Sequence, residues 1–423
     1  MWVSILFAGL AILSLVVIPD DFEYFVSDIP ITRKFVSIFF VITATVSFFT
    51  QSNKQRKVQD NMRRKPRSTC TDGMKAITID EYGDDVIRLT SNNPRPENLQ
   101  DYELLIRVKA SSINPIDIRI SEGYGSRVFN KIRRGMNYPA GDGKEFPITL
   151  GRDCAGIVEA VGDKVKIFKP GQEIWGAIEV ARPYGCLAEF VVVKEHEISL
   201  KPKGLTFEQA ASIPYVFLTT WSAIEGCISE KTAKGKRVLV LAGTGGIGTF
   251  AIQLFKAWGC YVTTTCSTTG IPLVEKLGAD NVIDYRKQEF SEALKNEEKF
   301  DFILDTMGPK FYNSCFSVCK RSGRIVSLVS PVMLLTDKHG LVLGGIRIFL
   351  KYLQLNLLRR LLGKRLSWGF FSANGRALKY IRKLVDSGKI QPVIEKSYSF
   401  EDFKSAFDHV ATGHSRGKTI ITF

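Results

Sequence analysis

The chain has 423 residues, of which 45% are hydrophobic, 24% charged and 11% aromatic, with a formal net charge of +15. That composition excludes a disordered, collagen-like or low-complexity chain, and at about 150 residues per domain the length implies two domains plus extra segments. Eight cysteines at irregular spacing exclude a small disulfide scaffold, and a basic excess with no zinc-finger spacing, RNP-like motif or basic heptad gives no nucleic-acid partner.

Two apolar runs, residues 1–18 and 35–50, open the chain without a charged side chain. Asp20, Asp21, Glu23 and Asp28 lie between them, and Lys54, Arg56, Lys57, Arg63, Arg64, Lys65 and Arg67 follow. A spanning helix needs about 20 apolar residues, so the first run is near the limit and the second slightly short. A signal peptide is disfavoured by the Met-Trp-Val start and by Pro19-Asp20-Asp21 after the run; a matrix presequence is disfavoured by the acids. The expectation is an uncleaved membrane anchor within residues 1–73, a single span or a hairpin, with the basic stretch holding the next domain on the cytosolic side. The alternative is a helix packed on the folded domain. Residues 66–73 read as a polar linker.

From residue 74 the pattern becomes short strands at 75–80, 103–110, 156–161 and 189–193, with turn residues between them, which suggests an antiparallel or barrel-like domain. From residue 207 helices and strands alternate. Strands are predicted at 238–241, 261–265, 302–304 and 325–328, and a helix at 249–258, the rhythm of a parallel doubly wound sheet. A helix at 403–410 and a strand at 419–423 close the chain, and no internal repeat is found.

The sharpest motif is Gly243-Thr244-Gly245-Gly246-Ile247-Gly248, a G-x-G-x-x-G directly after an apolar strand and before a helix. The first glycine permits the tight turn, the second lets backbone approach a pyrophosphate, and the third lets helix and strand pack closely. The helix N-terminus adds N–H groups and a positive dipole end. An NAD site has an acid about 20 residues on. Here Tyr261-Val262-Thr263-Thr264-Thr265-Cys266-Ser267-Thr268-Thr269 has none, so the hydroxyls, with Arg286 and Lys287 beyond, favour NADPH. The alternative role for these hydroxyls is capping of the next helix.

These residues resemble a family. Ile113-Asn114-Pro115-Ile116-Asp117, Gly151-Arg152-Asp153-Cys154-Ala155-Gly156, Ala210-Ala211-Ser212-Ile213-Pro214, the glycine loop, Leu277-Gly278-Ala279-Asp280 and Gly413-His414-Ser415-Arg416-Gly417-Lys418-Thr419 fall in the order of the medium-chain dehydrogenase/reductase superfamily. The chain resembles its zinc-free quinone oxidoreductase branch over residues 74–423. The resemblance implies an α/β architecture: a GroES-like β-barrel domain at 74–206 completed by 385–423, with a Rossmann domain at 207–384, and the coenzyme in the cleft between them. By position, Thr244, Gly245, Gly246 and Ile247 would form the phosphate loop, and Ser267 and Tyr285 would surround the adenosine 2′-phosphate. Leu328 and Ser330 would flank the nicotinamide, and His414, Ser415 and Arg416 would fold back onto the coenzyme. One departure is Gly270, where many quinone reductases have a Lys.

The zinc alcohol dehydrogenases of the superfamily place Gly-His-Glu where this chain has Gly151-Arg152-Asp153, and a ligand Cys near Asn114. No compact four-cysteine cluster and no His pair at metal spacing replaces them. Cys315 and Cys319, four apart on an expected helix, read as small buried residues. No metal is expected. Hydride transfer then rests on the coenzyme and on a site that holds an acceptor and excludes water. The oxyanion formed from a quinone or unsaturated carbonyl needs a donor, for which Asn114 and Tyr124 are the candidates beside solvent. Their alternatives are a loop-stabilising side chain and a cleft wall, and Asp117 reads as a helix cap.

Residues 341–371, rich in Leu, Phe, Arg and Lys, read as a basic amphipathic helix whose apolar face packs on the sheet, or which alternatively lies on a membrane. The resemblance implies a mitochondrial protein, with the outer membrane preferred and the endoplasmic reticulum as alternative. A reticulon-type membrane protein and a second copy of the chain are candidate partners. Two other functions stay open: a 2-enoyl thioester reductase, using Arg127, Lys131, Arg133 and Arg134 at the cleft mouth, and a dinucleotide-binding interaction protein without turnover.

Overall fold

The computed structural model describes residues 69–135, 145–361 and 363–423. The apolar runs and basic stretch read as an anchor lie outside the described residues, and no described helix is long and apolar enough to cross a membrane. The expected linker gives way to strand sooner than the sequence suggested: Thr69–Ile79 is already extended and pairs antiparallel with Ile87–Pro96.

A six-stranded parallel sheet forms the second half of the fold. Its order is Asn281–Asp284, Tyr261–Cys266, Arg237–Val240, Phe300–Asp305, Cys319–Ser327 and Arg365–Trp368. Strand order reverses between Arg237–Val240 and Phe300–Asp305, so the ends of these two strands open a crevice suited to a ligand. Val238, Leu239 and Val240 are fully buried, as expected for a strand covered by helices on both faces.

Mainly antiparallel strands form the other half, with Ile394–Ser399 and Lys418–Thr422 its parallel pair. Glu103–Ile113 pairs with both Asp153–Val161 and Phe190–Lys194, and Asp153–Val161 continues to Glu173–Ala177. The C-terminal strand Lys418–Thr422 inserts between Ile394–Ser399 and Glu103–Ile113, so the last residues of the chain complete a sheet begun near its start. The helix Pro214–Ile224, opened by a proline at its first turn, lies in the core cluster that joins the halves. Phe217 is fully buried there, its ring 5.6 Å from Trp221 and 5.5 Å from Phe250, in one cluster with Trp175 and Ile420 on one side and Val238 and Val240 on the other.

Residues 341–371 do not form one helix. The helix Val332–Leu361 contains a break at Gly340 (φ 77°, ψ 173°), and Arg365–Trp368 is the edge strand of the parallel sheet. The chain turns at Gly363, whose φ of 71° suits glycine. Cys319 begins a strand, so it does not share a helix with Cys315. Replacing Phe217 with Ala should cost about 3–5 kcal/mol in guanidinium unfolding, through lost transfer energy and an unfilled cavity; a cost below about 1 kcal/mol would deny Phe217 this joining role.

Candidate functional site

The glycine loop leaves the strand Arg237–Val240 and is fastened to its neighbour. Ala242 turns with φ 54°, its N–H donating to Thr265 Oγ1 at 3.0 Å, and the Gly243 N–H donates to the Thr265 carbonyl at 2.8 Å. Two of the three motif glycines close the turn. A Cβ at Gly243 would lie 2.2 Å from Thr264 Oγ1, and one at Gly248 would lie 2.3 Å from the Ala242 carbonyl oxygen. Gly245 differs: the nearest atom to a Cβ there is 3.6 Å away, so this residue leaves open the close approach a pyrophosphate requires. It caps the helix Gly246–Ala257, whose N-terminus adds the favourable end of a dipole. The loop therefore fits a dinucleotide.

The C-terminal tail lies against this loop. Gly417 bridges Gly245 in parallel, and its N–H donates to the Thr244 carbonyl at 2.8 Å. Arg416 reaches Thr269 Oγ1 with Nη2 at 2.7 Å, and Ser267 Oγ lies 3.4 Å from the same hydroxyl. The Arg416 N–H donates to Glu395 Oε2, which also meets His409 Nε2. Ser415 keeps its hydroxyl buried and without a hydrogen bond, and His414 is exposed beside it. Tyr285 follows the adjacent strand, its N–H on the Cys266 carbonyl and its ring in solvent. Thr244, Gly245, Ser267, Tyr285 and Arg416 are thus gathered around one loop.

The sequence reading missed Asp284 in this region. In register with Cys266, it accepts from Thr268 Oγ1 at 2.6 Å and from the Arg286 N–H at 3.0 Å. The Thr268 hydroxyl, with smaller help from the Arg286 N–H, Lys287 and Arg286, holds its carboxyl below the ordinary range. Thr268 is therefore engaged locally, leaving Ser267, Thr269 and Arg416 facing outward together. At Gly270 a Cβ would lie 2.5 Å from Thr244 Cγ2 and 3.3 Å from Cys266 Cβ, so a lysine there would require Thr244 to move. Across the crevice, the Leu328 N–H donates to the Asp305 carbonyl at 2.8 Å. The Ser330 hydroxyl is turned to the head of the next helix, where it accepts from the Val332 N–H.

Asn114 belongs to a buried charge network. Only 2% exposed, it accepts at Oδ1 from Lys418 Nζ and donates from Nδ2 to Asp153 Oδ2 at 3.0 Å. Its own N–H donates to Asp117 Oδ2 at 2.9 Å, in a capping box at the helix Pro115–Ser121. Asp117 also accepts from the Gly151 N–H and faces Arg152 Nε at 3.7 Å; Asp153 accepts from the Tyr215 N–H at 2.6 Å and faces Lys418 Nζ at 3.5 Å. Two carboxylates and two cations are thus paired out of water. Burial raises the pKa of Asp117 and lowers those of Lys418 and Arg152, and in each case the opposite charges work against the shift. The Lys418 stem runs past the glycine loop, where a Cβ on Gly246 would lie 2.9 Å from Lys418 Cδ. One side chain therefore extends from the dinucleotide loop to Asn114.

Tyr124 is separate from this network, with no hydrogen bond to Asn114 among the described residues. It is half-buried between Gly123 (φ 88°) and Gly125 (φ 74°). Its turn is held by Asp337, which accepts from the Gly125 N–H at 2.6 Å and the Arg127 N–H at 3.3 Å. Burial raises the phenol pKa, so Tyr124 stays a donor at neutral pH. Tyr215, stacked on Phe371 at 4.6 Å and 13°, is an aromatic pair that the sequence reading left out.

Comparison with known proteins follows the same lines. Residues 100–203 match the alcohol dehydrogenase GroES-like domain family, and residues 277–421 the family described as zinc-binding dehydrogenase. The mouse and human proteins named NAD(P)H oxidoreductase RTN4IP1, mitochondrial, are both 44% identical to this chain. The matches run over 353 and 361 residues, covering 82% and 84% of this chain and 89% and 90% of theirs. The solved quinone oxidoreductase from Coxiella burnetii is similar with a TM-score of 0.67 and 28% identity, over 83% of this chain and 99% of its own.

Residues 151–153 do not fit the zinc site that one family description implies. Arg152 has no lone pair to offer, both Asp153 oxygens accept hydrogen bonds, and no group of three or more His, Cys, Asp or Glu among the described residues could hold a metal ion. Replacing Lys418 with Met should cost about 3–5 kcal/mol by leaving Asp153 buried without its cation. Adding Asp153→Asn should recover part of the loss in a double-mutant cycle of denaturant midpoints; strictly additive losses would show that the two charges do not depend on each other.

Proposed function

We propose that this chain, which belongs to the medium-chain dehydrogenase/reductase family, is an NADPH-dependent oxidoreductase that reduces a quinone or quinone-like unsaturated carbonyl without zinc. The observation that carries this reading is the tail folded onto the glycine loop, which puts Arg416 beside Ser267 and Thr269 where an NAD site would have an acid. The relatives' names, NAD(P)H oxidoreductase and quinone oxidoreductase, support the same reaction class.

In this reading Thr244, Gly245, Gly246 and Ile247 receive the pyrophosphate, while Ser267, Tyr285 and Arg416 receive the adenosine 2′-phosphate. His414 and Ser415 close over the coenzyme, and Leu328 and Ser330 bound the nicotinamide end. The coenzyme supplies the hydride when bound. Tyr124, a phenol protonated at neutral pH, donates to the oxyanion of the reduced acceptor. Asn114 acts indirectly: its amide is held by Lys418 and Asp153 and shapes the floor beneath the acceptor. The thioester alternative loses one of its basic residues, because Arg133 is buried with its Nε on the Ala181 carbonyl. The relatives' names also support a mitochondrial location, to which the reading adds membrane attachment through the N-terminal runs and a reticulon-type partner.

Titration of the purified chain should give tighter binding of NADPH than of NADH, with NADPH oxidation dependent on a soluble ubiquinone analogue. Equal affinities, or no oxidation by any quinone, would refute the reading. Arg416→Ala should weaken NADPH by about tenfold to a hundredfold, the worth of a charged hydrogen bond, and leave NADH nearly unchanged. Tyr124→Phe should lower kcat while leaving the NADPH affinity in place; an unchanged kcat would assign protonation to solvent.

A further inference from the structure

The helix Val332–Leu361 has two apolar sides. One is used by the fold: Ile348 and Leu355 are buried, and Tyr352 meets Trp368 edge-on. The other faces water. Leu343, Leu350 and Leu357 follow one another at heptad spacing and are 62%, 57% and 64% exposed, with Val342 beside them at 77%. A contiguous apolar patch of this kind marks an interaction surface.

The charge around the patch narrows the occupant. Residues 341–361 contain no Asp or Glu. Lys338, Arg347 and Lys351 are exposed next to the patch, whereas Arg359 is turned inward onto Asn313 and the Phe316 ring. A second copy applied to the same face would set positive charge against positive charge. A surface of anionic headgroups over hydrocarbon satisfies both the leucines and the cations, and a helix not apolar enough to cross a membrane would lie in that interface. We propose that this face docks on an anionic lipid bilayer. The docking is additional to any N-terminal anchor and holds whichever acceptor the enzyme reduces. It places the membrane on the side of the Tyr124 turn, because Asp337, on the short segment that precedes the Gly340 break, holds that turn through Gly125 and Arg127.

The test uses the full-length chain with Leu350→Trp as a reporter in the centre of the patch. On vesicles of phosphatidylcholine mixed with an anionic phospholipid, its added emission should shift to the blue and be quenched by brominated lipid; on phosphatidylcholine alone it should not. Changing Lys338, Arg347 and Lys351 to Gln in the reporter background should lower the partition coefficient about fivefold per cation at an unchanged thermal midpoint. A reporter indifferent to all vesicles overturns the proposal, and so does an equal response to neutral and anionic lipid. Emission that shifts with protein concentration in the absence of lipid assigns the face to a second copy instead. Turnover of a soluble quinone, followed in parallel, reports separately on the oxidoreductase reading.

Discussion

The seating of residues 416–418 on the glycine loop governs how the two halves of the molecule face each other. Within three residues the chain places a guanidinium beside Thr269, bridges Gly245 through backbone, and sends an ammonium into the antiparallel half to meet Asn114 and Asp153. The strand that continues from there pairs with Glu103–Ile113, so its register is set by a hydrogen-bonded ladder rather than by loop packing. Shifting it by one residue would move Lys418 to the other face and remove both the charge partner and the backbone bridge.

The buried network balances its charges with side chains alone, at residues that form no metal-ligand set. A divalent ion would bring concentrated positive charge. Here Lys418 and Arg152 spread it over two side chains, and Asp117 and Asp153 balance it. Each carboxylate gains backbone donors as well, from Asn114, Gly151 and Tyr215, which offset part of the desolvation cost. The arrangement tolerates little loss, because removing any one charge strands another in a low dielectric. It is therefore a framework that orients Asn114, whereas Tyr124, on a separate glycine-flanked turn, keeps a hydroxyl free of that framework.

Much of this was legible in the sequence, for identifiable reasons. The strand at 238–240 is buried on both faces and reads as an uninterrupted apolar run, and the glycine motif is constrained by the Thr264 hydroxyl and the Ala242 carbonyl, which a Cβ would meet at 2.2 and 2.3 Å. Edge elements were harder. Ile394–Ser399, with its sequence Ile-Glu-Lys-Ser-Tyr-Ser, is largely solvent-facing and carries almost no period-two signal, and Arg365–Trp368 is too short to stand out from the helix before it. Lys418 was hidden by its setting. After Arg416-Gly417 it reads as one more surface cation, and only the strand pairing turns it inward. Asp284 escaped notice because an acid was sought on the preceding strand, while the lateral register of a parallel sheet brings the next one level with it.

The position of the C-terminal strand also bears on the order of synthesis. The residues that bridge Gly245 and those that insert between Glu103–Ile113 and Ile394–Ser399 are translated after all six strands of the parallel sheet. The emerging chain can form the parallel sheet first, but it has neither a finished nucleotide seat nor a complete second sheet until residues 416–422 have emerged. Loss of residues 416–422 would therefore remove the bridge to Gly245 and a strand of the second sheet together. Until those residues dock, quality-control machinery would meet an unpaired edge at Ala110–Ile113, beyond the stretch that Phe190–Lys194 covers.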